Sequence, residues 1–135
     1  MVDFGIIGCV RQKLLSKDNP FFQQSASLDV GRWVPEEIKG PFVFTDIDEI
    51  WNYPACVQGP VGKVRFSLIC FDEKTSKNRF LMLQDAVKAL IDGLSIILSE
   101  NHYGSTRLLH KVDEKDHKHS WLKSTLSFET VVFQK

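Results

Sequence analysis

The chain has 135 residues, 43% of them hydrophobic and 25% charged, and its 17 basic and 17 acidic side chains give a formal net charge of zero. A chain of this length forms one domain that buries roughly two thirds of the surface its unfolded form exposes, and the composition excludes disordered, collagenous and coiled-coil chains. With no basic excess, a dedicated nucleic-acid binder is disfavoured, and no apolar run approaches the ~20 residues that a membrane crossing needs.

Asp3 is placed to cap a first helix in which Phe4, Ile7, Val10 and Leu14 recur at helical spacing, while Arg11, Gln12 and Lys13 take the other face. This helix is expected to stop near Ser16, because Asn19-Pro20 breaks the pattern, and residues 17–29 read as a loop. The apolar run over residues 4–9 has no basic residue before it and is too short for a signal peptide, so a chain made and kept in the cytosol, or passed to an assembly built there, is expected. Residues 30–34 suit a short extended piece, and after a proline-flanked turn residues 42–47 suit a strand.

Residues 51–62 carry two prolines and two glycines and read as an exposed connection. From residue 63 to 72 the alternation is clear: Val64, Phe66, Leu68 and Cys70 share one face, and Ile69 and Phe71 make the far end apolar on both. A central strand is expected there. Phe80, Leu83, Val87, Leu90, Ile91, Leu94 and Leu98 then trace a helical stripe, whose end is expected between residues 93 and 99. A strand over residues 106–112, a charged tip over 113–119 and a long strand over 120–133 form a hairpin. On the last strand Leu122, Leu126, Phe128 and Val132 point inward, with Ser124 and Thr130 between them, while Trp121, Lys123, Thr125, Ser127 and Glu129 point out. The order predicts an α+β domain: an antiparallel or mixed sheet of about four strands with two helices packed on one face.

Chemistry-bearing patterns are sparse. No glycine-rich phosphate motif occurs. Cys9, Cys56 and Cys70 form no CxxC pair and leave one over, which suits buried thiols in a reducing compartment better than disulfides or a zinc knuckle. His117 and His119 on the tip lack a third fixed metal ligand, so a solvated turn is the plainer reading. Asp46, Asp48 and Glu49 are read as hydrated strand-end carboxylates rather than a cation or acid–base site. A pocket using His102, His110 and Cys70 is the enzymatic or ligand-binding alternative, although nothing in their spacing joins them. Trp121, off the core face, with Trp33 and Trp51 in connections, fits either a protein interface or local core under loops.

Residues 30–35 (VGRWVP), 41–44 (PFVF), 62–71 (GKVRFSLICF), 83–93 (LQDAVKALIDG) and 124–132 (STLSFETVV) together resemble the tail-completion, or tail-terminator, family of long-tailed phages and gene transfer agents. The likeness spans nearly the whole chain. It implies a non-enzymatic α+β subunit without cofactor or metal that assembles as a ring, commonly of six, on the last ring of a tail tube. Such a ring ends polymerisation of the tube and joins it to the head-side connector. The implied partners are sister copies, the tail tube protein and the connector protein, with no sequence-specific nucleic acid and no membrane. The implied location is the virion tail, reached from the host cytoplasm. Trp33, Trp51, Tyr53, Trp121, Asp116 and His117, aromatic or charged residues outside the expected core, are the interface candidates.

Overall fold

Helix α1 (Ile6–Leu14) exists because Ile6, Ile7, Val10 and Leu14 fall on one stripe and are all buried. In the computed structural model, which describes residues 5–24, 28–31, 33–34, 36, 40–53, 59–98, 100–114 and 121–134, the residue preceding α1 is Gly5 at φ 70°. The expected cap Asp3 lies outside the described residues. The helix ends through Asn19, which is fully buried: its side-chain amide donates to the Leu14 carbonyl at 2.7 Å, and its carbonyl oxygen accepts the Phe21 N–H at 2.9 Å. One side chain thus closes α1 and opens a 3-10 helix, Pro20–Gln24, inside the stretch expected to be a loop. That turn carries Phe21 into the core.

The sheet has six strands rather than about four: β1 (Asp29–Gly31), β2 (Phe42–Asn52), β3 (Pro60–Glu73), β4 (Ser95–Ile97), β5 (His102–Glu114) and β6 (Trp121–Gln134), in the order β1-β2-β3-β6-β5-β4. Only β1 pairs in parallel, and the other contacts are antiparallel. The four long strands follow the expected pattern, with β3 central. The two extra strands are three residues each and lie at the two edges. β1 falls where an extended piece was expected. β4 lies where the apolar stripe was expected to keep the chain helical.

Helix α2 (Lys77–Ile91) stops before Gly93 because Gly93, at φ 81°, turns the chain out of the helix, and its N–H bonds to the Thr106 carbonyl at 2.8 Å. Leu94 and Leu98 therefore pack on the core from the β4 region rather than from α2. The expected connection over 51–62 is also shorter, since β2 runs through Trp51 to Asn52 and β3 starts at Pro60.

Both helices cover one face. Val64, Phe66, Leu68 and Cys70 from β3 meet Leu126, Phe128 and Val132 from β6 beneath α1 and α2, and the rings of Phe66 and Phe128 stack at 5.6 Å. Burying each such side chain contributes roughly 1.5–3 kcal/mol, which makes this layer the main source of stability. The opposite face has a smaller core at one end, where Phe42 and Phe71 are buried with Phe44, Ile69 and Trp121 against them.

Candidate interaction surfaces

Among the described residues, the uncovered sheet face holds a cluster of three cations around Glu129. Glu129 points away from the helices, as expected from the alternation of β6, yet it is only 3% exposed. Its carboxylate accepts from Arg65 Nε at 3.0 Å and from Arg107 Nη2 at 3.1 Å, and Lys63 Nζ stands 3.7 Å away. Register explains the meeting. Arg65, Glu129 and Arg107 are direct partners across β3, β6 and β5, so three sequence-distant residues share one row. Burial pushes the carboxyl pKa up, but hydrogen bonds from Arg65 and Arg107 and the charge of Lys63 outweigh it and hold Glu129 below the ordinary carboxylate range.

Trp51 lies in the same region. It is part-buried, with Lys63 Nζ 4.4 Å and the Arg65 guanidinium carbon 5.0 Å from its ring centre. It is therefore a lid on the cation cluster rather than a connection residue. Trp121 packs edge-on against Phe71 at 5.3 Å and belongs to the small aromatic core. Tyr53 follows the end of β2, 36% exposed, its N–H bonded to the Val61 carbonyl. Trp33, 85% exposed, stands at an open cleft of about 570 Å³ between α1 and β2. Arg11 crosses that cleft to donate to Thr45 Oγ1 at 2.9–3.0 Å. Asp116 and His117 lie outside the described residues, as do His119 and Cys56. The four aromatic candidates thus divide: Trp33 and Tyr53 offer surface, whereas Trp51 and Trp121 are held within the sheet face.

The expected alternative site does not assemble. Cys70 is buried on the helix side, where desolvation pushes its thiol pKa up to about 12, far from a reactive thiolate. His110 is paired with Ser127 and His102 with Gln134, while Cys70 pairs with Ser124. At ~3.4 Å per residue along β6, Cys70 and His102 stand roughly 34 Å apart. The carboxylates Asp46, Asp48 and Glu49 are exposed on β2, with Asp48 accepting a hydrogen bond from Ser67 at 2.6 Å. Among the described residues no group of three or more His, Cys, Asp or Glu side chains is arranged to hold a metal ion. No described helix is long and apolar enough to cross a membrane.

Two features were not read from the sequence. The rings of Tyr103 and Phe133 stack at 5.3 Å at the far end of the uncovered face. Both long outer strands also extend well past their short edge partners, since β1 pairs β2 only through Phe44 and β4 pairs β5 only from Tyr103 to Ser105.

No family model and no curated protein matches the chain. Among solved structures, the fold is similar to a chain of the virion of a native gene transfer agent particle, with a TM-score of 0.72 and 14% sequence identity, covering 92% of this chain and 91% of that one. At that identity the likeness establishes a shared fold.

Proposed function

We propose that this chain is a structural subunit of a phage-type or gene transfer agent particle that assembles as a ring at the head end of the tail tube. The ring ends tube growth and presents its other side to the connector. The observation that carries this reading is a fold shared over nine tenths of the chain with a virion component. The resemblance of the 62–71 and 124–132 segments to tail-terminator sequences supports the same reading. These segments lie on β3 and β6, the two central strands, so the resemblance rests on the residues that define the sheet.

The mechanism is occupation of an interface. Subunits cover the surface that the next tube ring needs, and no covalent bond is made or broken. The separation of Cys70, His102 and His110 gives the enzymatic alternative no support. Deleting the gene in a producing strain and imaging the particles tests the proposal. Tails of irregular, excessive length without attached heads are expected. Normally sized tails joined to capsids overturn the proposal.

A further inference from the structure

Each side of the sheet carries a stretch of strand without a strand partner among the described residues. On one side β2 is unpaired from Thr45 to Asn52, because β1 stops opposite Phe44. On the other, β5 is bonded as far as Leu108: β4 pairs Tyr103 to Ser105, Thr106 exchanges hydrogen bonds with Gly93 and Leu94, and the Leu108 N–H reaches the Asp92 carboxylate at 2.9 Å. From His110 to Glu114 the strand is exposed. Unpaired N–H and C=O groups of this kind are a template for another strand. We propose that these two stretches pair with each other between copies of this chain, β5 of one subunit against β2 of the next in antiparallel register. Assembly is then head to tail and closes into a ring. This deepens the ring-subunit reading by naming the surfaces that join sister copies.

Geometry and charge select this pairing. The open part of β2 lies opposite β3 residues Leu68 to Gly62, centred near Arg65. The open part of β5, traced through β6, lies level with β3 residues Ser67 to Phe71, centred near Ile69. The two edges are thus offset by about four residues, or about 14 Å, along the strands. From β2 to the next copy's β2 there are four strand spacings, about 19 Å. The offset over that width tilts the strands about 35° from the ring axis, within the range by which sheets close on themselves.

The open stretch of β2 carries Asp46, Asp48 and Glu49 and no cation, so two β2 edges repel each other. The open stretch of β5 supplies His110 and Lys111, the latter's Nζ 3.7 Å from Asp113, while the acids of the stretch have further partners on β6, Asp113 in Ser124 at 2.7 Å and Glu114 in Lys123 at 3.2 Å. An interface between different patches propagates as a ring or filament, whereas a two-fold contact stops at a dimer.

Light scattering and native mass spectrometry on dilution series of the wild type, Glu49→Lys and Lys111→Glu test the pairing. The wild type is expected to form closed oligomers larger than dimers. Each variant alone is expected to raise the concentration for half-assembly about tenfold or more. An equimolar mixture of the two is expected to recover assembly, because each then offers the edge charge the other lacks. Recovery also shows that both variants are folded. A monomeric or strictly dimeric wild type, an unchanged midpoint in either variant, or a mixture that fails to recover overturns the pairing. Rings that persist in both variants overturn this edge assignment alone, whereas the deletion strain's tails judge the tail reading separately.

Discussion

Glu129 shows what a single residue of this sheet can hide. Alternation correctly puts it on the face away from the helices, and on that evidence alone it reads as a solvated acid. What alternation cannot give is register, and register brings Arg65 and Arg107 against it from the neighbouring strands. Because the folded-state pKa is lowered, Glu129 contributes stability that is fully present above its unfolded value of about 4.3. That contribution is lost as pH falls through the folded pKa. Stability is therefore expected to decline below about pH 4, and in Glu129→Gln the decline is expected to be shallower. At pH 7 the same variant is expected to lose roughly 1–3 kcal/mol in urea unfolding, toward the lower end because Arg107 is 70% exposed and rehydrates. A pH profile of Glu129→Gln that parallels the wild type would place the acid sensitivity elsewhere. Cys70 is the converse case, since its inward position and inert thiol were legible from the apolar face it shares with Val64 and Phe66.

At the level of elements, the long strands and both helices were readable because each carries its own periodicity: two for β3 and β6, and about three and a half for α1 and α2. Of the edge strands, β1 was legible only as a short extended piece and β4 not at all, since three residues are too few to show a period, and Leu94 and Leu98 happen to continue the helical stripe of α2. The feature that decides the matter is Gly93 with its positive φ, followed by a strand that must approach β5 closely. On its other side β5 lies close against β6, and Gly104 makes that approach possible. A Cβ there would meet Thr130 Cγ2 at 2.7 Å and Ile96 Cβ at 3.9 Å. Thr130 has little room to yield, being fully buried with its hydroxyl hydrogen-bonded to Thr106 Oγ1 at 2.7 Å. Gly104→Ala is therefore expected to destabilise the fold by about 1–3 kcal/mol through overpacking. A lower urea midpoint at unchanged slope is the measurement that checks it. A neutral result would mean that β5 shifts outward at this point without cost.

For the whole molecule, the proposed ring makes the outer contacts the surface to examine. The sequence pointed to aromatic side chains for those contacts, and the structure draws two of the four, Trp51 and Trp121, into the sheet face. Backbone edges leave only an ambiguous compositional signature: Asp46, Asp48 and Glu49 on the open stretch of β2 read equally well as hydrated strand-end carboxylates. The β2 and β5 stretches became visible only through the register of their neighbours. Hydrogen exchange reads them directly. In dilute solution, amides of residues 45–52 and 110–114 that point away from β3 and β6 have no strand to protect them, so they are expected to exchange at the fast rates of open edges. Raising the concentration through the assembly midpoint is expected to protect both stretches together, while amides of β3 and β6, already paired on both sides, change little. Protection of β5 alone would indicate a two-fold β5 contact. Protection around Trp33 instead would transfer the interface to the cleft between α1 and β2.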